Sequence, residues 1–174
     1  MIEFIAAIIK PDALNEWIDI NILRDLEESW FKVRFRKIMQ LGKRHLPYVY
    51  ADKINTDREP FALYSISHGL SMLLILEAKN AYQKMLPVKW NSHSQGGIRE
   101  KYRLYKKEQL EEKWFTGKQL EYELCKNKIH TSDSVGESCF LLSGLLTHEE
   151  LLLMEQLDIK TYREIKKNLW LTVV

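Results

Sequence analysis

Two unbroken apolar runs, residues 4–9 and 72–76, constrain the fold of this chain more than any other feature. A strand wetted on one face alternates polar and apolar residues, whereas a continuously apolar strand needs cover on both faces. Both runs therefore read as interior strands of a sheet packed between helices. Pro11, which cannot donate to a ladder, ends the first run at Lys10.

The segments between them supply the cover. From Ile18 onward, Ile22, Leu23, Leu26 and Trp30 fall on one helical face, with Arg24, Asp25, Glu27 and Glu28 on the other. Phe31, Val33, Phe35 and Lys37 then alternate with Lys32, Arg34 and Arg36, a strand pattern with aromatic bulk inward and positive charge outward. Those cations read as a solvated sheet face rather than a ligand site. A polar segment with Asp52, Asn55, Thr56 and Asp57 precedes a helix opening at Pro60, and a short helix is expected over residues 80–86. Residues 92–97 read as an irregular loop, and residues 100–118 as charged and helical. Residues 120–129 lead into His130. Ser134 with Glu137 has the spacing of a capping box for a helix containing residues 139–142. Thr147 with Glu150, and Thr161 with Glu164, repeat that signal for two terminal helices. Four strands separated by helices, without internal repeats, fit an α/β (α+β) ferredoxin-like sandwich: a four-stranded antiparallel sheet covered by helices. By periodicity alone it is one of several compatible folds.

Composition narrows the function classes. The 174 residues suit one domain with a short extension. Lys plus Arg number 26 against 24 Asp plus Glu, a net charge of +2 without a basic block, which argues against a dedicated nucleic-acid partner. The first apolar run is too short to span a bilayer and lacks a basic leader, so a cytoplasmic protein without a membrane partner is expected. Cys125 and Cys139 match no zinc pattern and suggest a reduced compartment. His45, His68, His93 and His148 show no metal spacing, and no protein-held metal is expected.

Three segments then carry a family resemblance. Ile8-Ile9-Lys10-Pro11-Asp12-Ala13, Gly97-Ile98-Arg99, and Asn127-Lys128-Ile129-His130-Thr131-Ser132-Asp133-Ser134 resemble, in order, the opening strand and turn, the mid-chain arginine segment and the active-site motif of nucleoside diphosphate kinases. Weaker matches lie between them: Tyr50, Glu59-Pro60-Phe61, His68-Gly69, and Glu77 with Asn80-Ala81. Taken alone His130 would read as a structural histidine, and the surrounding motif is what reverses that. The resemblance runs from about Phe4 to about Leu142. It implies a kinase-like domain over residues 1–144, with an insertion over about 100–122 and a helical extension over 145–174.

The resemblance implies that His130 accepts the terminal phosphoryl group of a nucleoside triphosphate and passes it to a diphosphate, as a neutral imidazole can near neutral pH. Arg99 would clamp phosphates with its planar fork and Tyr50 would donate a hydrogen bond beside the transferred group. Lys10 and Asn127 would hold the ribose hydroxyls, Phe61 would stack on the base, and Leu124 would touch its other face. Ser132, within the motif, joins the candidates. Mg²⁺ would arrive on the nucleotide phosphates, and a homo-oligomer is the usual state of the family. The helix starting near Ser134 would direct its free backbone N–H groups at the pocket.

The sequence also departs from the family. Thr131 stands where glycine is usual, bringing a branched side chain into a tight part of the pocket. The glutamate that orients the imidazole would fall near Leu141 or Leu142, with Glu137 as the available substitute. A second phosphate-binding arginine is replaced by Lys84 or Lys89, which lack its fork. A second reading therefore stays open: a kinase-like nucleotide-binding or protein-interaction domain with little or no transfer activity.

Overall fold

A computed structural model describes residues 2–89, 97–103, 107–125 and 127–157, with the side chains at 107, 121, 122, 124, 125 and 153–157 outside that description. Its strands are β1 (Ile2–Ile9), β2 (Lys32–Gln40), β3 (Leu70–Lys79) and β4 (Ile129–Thr131). They form one sheet in the order β2-β3-β1-β4 with every neighbouring pair antiparallel. The two apolar runs take the two central places, as their composition requires, and the ferredoxin-like α/β sandwich is the observed architecture.

The helices are α1 (Pro11–Asn15), α2 (Asp19–Glu28), α3 (Leu46–Val49), α4 (Glu59–Ser67) and α5 (Ala81–Lys89), followed by α6 (Ile98–Lys101), α7 (Lys107–Glu112), α8 (Gly117–Cys125), α9 (Val135–Leu145) and α10 (His148–Leu157). Alternate residues of the central strands feed two cores. Phe4, Ala6, Ile8, Leu73 and Ile75 pack with Leu46, Val49, Ile66, Leu141, Leu142 and Leu145 from α3, α4 and α9. Ile5, Ala7, Ile9, Leu74 and Leu76 pack with Ala13, Ile22, Leu26, Met85 and Ile98 from α1, α2, α5 and α6. Each fully buried aliphatic side chain contributes about 1.5–3 kcal/mol, so these double-faced strands supply much of the stability.

Beyond the three residues of β4, the outer edge of β1 is finished by side chains. The Ala6 N–H donates to Ser138 Oγ at 3.0 Å, and the Tyr82 hydroxyl donates to the Phe4 carbonyl at 2.8 Å while touching Ser138 Oγ. This capping fixes α9, whose N-terminus follows β4, against the sheet.

Three expectations are corrected. The alternation of β2 is interrupted by a register shift between Val33 and Phe35. The extra residue, Arg34, pairs with Glu77 at 3.6 Å, while Phe31 and Val33 join one core and Phe35 and Met39 the other. Lys37 lies inward of the sheet rim and donates to the Leu145 carbonyl and to Glu150 of α10. Trp30 does not continue the apolar face of α2. The helix ends at Glu28, Trp30 is 82% exposed with φ 64°, and Phe31 turns back into the core instead. Residues 100–118 do not form one helix, because α6, α7 and the start of α8 share that region.

The end of α2 follows a pattern that recurs at α1 and α7. The Trp30 N–H donates to the Glu27 carbonyl and the Phe31 N–H to the Leu26 carbonyl, the paired bonds of a Schellman motif. Trp17 with Ile18 closes α1, and Trp114 with Phe115 closes α7, through the same two bonds. Each tryptophan holds the left-handed position where glycine is usual, with φ of 59°, 64° and 65°.

The expected loop over residues 92–96 and the expected helix at Thr161 and Glu164 lie outside the described residues. Among the described residues no helix is long and apolar enough to cross a membrane.

Candidate functional site

The site forms where β1 ends beside the edge strand β4. In the register of that pair Ile8 lies opposite His130. Strand alternation therefore puts Lys10 on the same face of the sheet as Ile8 and His130. Lys10 is only 1% exposed and immediately precedes α1, whose first residue, Pro11, has a fixed φ suited to a helix start. Two contacts pack the first turn of α1 against the residues around Gly69. A Cβ at Gly69 would stand 3.1 Å from Pro11 Cβ, so glycine permits that close approach. His68 Nε2 meets Asp12 Oδ1 at 2.9 Å.

His130 is 8% exposed. The Tyr50 ring, at the end of α3, meets the imidazole edge-on with centroids 4.8 Å apart, and Lys10 Nζ lies 5.5 Å from the centre of the Tyr50 ring. Cations from the opposite helical layer reach round the open edge of β4. Arg99 of α6 donates from Nε to the Ile129 carbonyl at 3.2 Å, and Lys89 at the end of α5 pairs with Asp133. Glu137 does not contact His130 among the described bonds. Its carboxylate accepts the Asp133 N–H at 2.6 Å, while its own N–H donates to the Ser134 hydroxyl at 3.1 Å. These two amides at the start of α9 are thus already engaged within the motif.

The electrostatics follow from that clustering. Burial, then the charges of Lys10, Arg99 and Lys89, hold the His130 pKa well below its ordinary value, so the ring is neutral at physiological pH. Burial, with Arg99 adding to it and Glu137 opposing, brings Lys89 down to about 8. The Arg99 guanidinium is also lowered by burial, against the effect of Tyr50, with Arg103 adding repulsion. Burial raises Glu137, with Lys89 opposing and Asp52 reinforcing. A neutral imidazole ringed by cations is a nucleophile suited to an anionic electrophile.

Four buried polar atoms of the motif have no hydrogen-bond partner among the described residues: Asn127 Oδ1, His130 Nε2, Thr131 Oγ1 and Ser132 Oγ. The Ser132 backbone N–H is used, donating to the Ala6 carbonyl at 3.0 Å. Leu141 and Leu142, where an orienting carboxylate is expected by resemblance, are fully buried in the apolar core. The expectation that Thr131 crowds His130 is corrected. Thr131 lies opposite Ala7, and alternation turns its side chain toward the other core.

Lys10, Tyr50, Lys89 and Arg99 are thus brought together around His130, with Asn127 and Ser132 flanking it in sequence. Phe61 stands half-buried in the first turn of α4, against which α8 packs. Lys84 lies earlier on α5, and of the two lysines it is Lys89 whose charge acts on His130. Leu124 falls within α8, with its side chain outside the described ones. Sequence reasoning missed Arg103, four residues after Arg99 and past the end of α6, and the pairing of buried Lys128 with Glu16. The signal for the first was the four-residue spacing of the arginines. For the second it was a lysine two residues before His130, just ahead of the strand, with nothing in the sequence to name its partner.

No protein-family model matches the chain. Part of it is similar to a thioredoxin domain-containing protein 3 homolog from Ciona intestinalis, at 29% identity over 84 residues, 48% of this chain and 13% of that protein. The chain therefore spans a small fraction of the length of that relative. Among solved structures, it is similar to the nucleoside diphosphate kinase of Aquifex aeolicus, with a TM-score of 0.61 and 18% identity, covering 86% of this chain and 99% of that one. It is also similar to the nucleoside-diphosphate kinase of Borrelia burgdorferi, solved as a transition-state mimic with vanadate and ADP, with a TM-score of 0.66 and 16% identity, covering 86% and 89%.

Proposed function

On a chain that has the fold of the nucleoside diphosphate kinases, we propose that His130 carries phosphoryl groups from a nucleoside triphosphate to a nucleoside diphosphate. The observation that carries this reading is the buried, neutral imidazole of His130 in the electrostatic grip of Lys10, Arg99 and Lys89. His130 Nε2 is enclosed, which leaves Nδ1 as the nitrogen that meets a phosphate. In the first half-reaction the Nδ1 lone pair attacks the γ-phosphorus, an N–P bond forms, and the P–O bond to the β-phosphate breaks with its electron pair leaving on the diphosphate. In the second half a terminal oxygen of the acceptor diphosphate attacks the same phosphorus and the N–P bond breaks. One site serves both halves, so its work is positioning and charge neutralisation.

The roles of the other residues follow from their chemistry. Arg99 and Lys89 face the phosphates, with Arg103 behind Arg99. Tyr50 wall-packs the imidazole and offers a hydroxyl. Lys10 and Asn127 face the ribose, and Phe61 the base. Among the described residues no group of three or more His, Cys, Asp or Glu side chains gathers to hold a metal. The donors at the site suit phosphate oxygens, and in keeping with the family resemblance Mg²⁺ would arrive on the nucleotide, where it neutralises phosphate charge. Self-assembly into a homo-oligomer belongs to the same reading.

Incubation with γ-labelled ATP is expected to label the wild type in an acid-labile, base-stable linkage and to leave His130→Ala unlabelled. Equal labelling of both would overturn the assignment. One observation favours the second reading, a nucleotide-binding domain with little transfer: among the described residues no carboxylate meets His130 Nε2, and Leu141 and Leu142 occupy the place expected for it. Unimpaired exchange among several triphosphates and diphosphates would exclude that reading.

A further inference from the structure

Lys128 is 2% exposed, yet it carries an ammonium whose partner is a single carboxylate, Glu16, more than a hundred residues earlier in the chain. Nothing in the chemistry assigned to His130 uses this pair. A lysine buried so completely is costly unless it is matched, and the same volume could be filled by an apolar side chain at no such cost. Its placement suggests what the cost secures.

Lys128 is tied to both ends of α1. Its carbonyl accepts the Lys10 N–H at 2.9 Å, extending the β1·β4 ladder by one step, and its side chain reaches Glu16, the C-terminal cap of α1. Trp17, in its left-handed conformation, turns the chain directly after Glu16. The contacts close a ring. From Lys10 the chain runs through α1 to Glu16, crosses the ion pair to Lys128, follows β4 to His130, passes to the Tyr50 ring and returns to the Lys10 ammonium. The ion pair is the one charged link in this ring that lies away from the imidazole.

We infer that Glu16 and Lys128 form a positioning staple that sets the separation between the Lys10 ammonium and the His130 imidazole. The pair touches neither the reacting nitrogen nor the phosphate path. It acts by preventing α1 from pivoting about Pro11 and carrying Lys10 away from His130. For phosphoryl transfer this inference rests on the reading above, whereas its geometric part does not.

The test uses the full chain with both charges removed together, Glu16→Gln/Lys128→Met, so that the net charge is unchanged and no buried ion is stranded. His130 faces Lys10, Arg99 and Lys89 with Tyr50 against its ring, and loosening the ring of contacts withdraws Lys10. The His130 titration, followed by NMR of the imidazole without nucleotide, is therefore expected to move upward in the double variant, while thermal unfolding shifts by only a few degrees. Transfer measured as kcat/KM is expected to fall about tenfold, equivalent to about 1.4 kcal/mol. The swapped variant Glu16→Lys/Lys128→Glu is expected to bring both readouts back toward the wild type. An unchanged His130 titration in the double variant would overturn the staple. If the wild type transfers no phosphate at all, the proposed function falls while the titration still judges the staple.

Discussion

Replacing Trp30 by glycine should stabilise this protein, although it removes the largest side chain there is. Trp30 occupies a left-handed backbone position, φ 64°, and is 82% exposed. An L side chain in that conformation costs about 1–2 kcal/mol. Glycine escapes that cost but gives the unfolded chain extra freedom, which returns about 0.4–1 kcal/mol. The net gain is therefore about 0.7 kcal/mol, since little buried area is lost. Trp17 and Trp114 repeat the geometry at 82% and 89% exposure. The ten residues of α2 separate Trp17 from Trp30 by about 15 Å, so their effects should add. The triple glycine variant should then gain about 2 kcal/mol, or about 4–8 °C in Tm for a chain of this size. Calorimetry or urea unfolding measures it, with Trp30→Ala as the control, because alanine shares the backbone penalty and lacks the ring. Equal stabilisation by Ala and Gly would refute the reasoning, since the gain would then come from losing an exposed ring rather than from relieving the backbone.

The pH dependence follows from the shifted groups at the site. If His130 transfers phosphoryl groups as proposed, kcat/KM should hold steady as pH falls through 6.5, the ordinary histidine value, and should decline above about 8 as Lys89 loses its proton; an acid limb centred at 6.5 would contradict the buried, cation-ringed imidazole. Stability has its own sign. The unfolded chain binds a proton on this ring below 6.5 and the folded chain resists it, so this contribution is complete above 6.5 and is lost as pH drops toward the folded value, which urea midpoints across that range would register. Gly144→Ala should destabilise by about 1–3 kcal/mol, because its methyl group would lie 2.1 Å from Cγ of the Tyr48 ring, and an unchanged urea midpoint would show that α3 moves freely against α9.

How much of this was legible beforehand depends on how local each cause is. The central strands could be read because burial on both faces leaves a composition that needs no partner to interpret. The histidine segment could be read because its residues are adjacent in the chain. The β2 bulge could not, since Val33 and Phe35 look equivalent until β3 imposes a register that admits one extra residue. Trp30 was misread because its spacing continues an apolar face, whereas the helix ends two residues earlier, at Glu28, with Phe31 as the residue that enters the core. The partner of Lys128 could not be guessed, since Glu16 caps a helix whose end is set by backbone bonds from Trp17 and Ile18. Lys89 was one of two lysines that sequence could not separate. Only the course of α5 toward Asp133 distinguishes it from Lys84.

The repulsions within the site bear on what it is built to receive. Arg99 makes Lys89 harder to protonate, Arg103 does the same to Arg99, and Lys10, Arg99 and Lys89 together do so to His130. Acidic neighbours relieve only part of this, because Asp133 is exposed and Glu137 is itself pushed toward its neutral form by burial. In a low-dielectric setting such crowded like charges weaken the fold, and an anion entering among them would reduce the penalty as well as add its own attraction. A triphosphate chain supplies several such charges in a row, and a phosphorylated His130 would leave charge in the same place after the nucleotide departs. The neutral imidazole and the crowded cations are thus two consequences of one arrangement. Two of the charges that suppress protonation of the His130 imidazole, Arg99 and Lys89, are those that on the proposed reading would hold the phosphoryl group once it is attached.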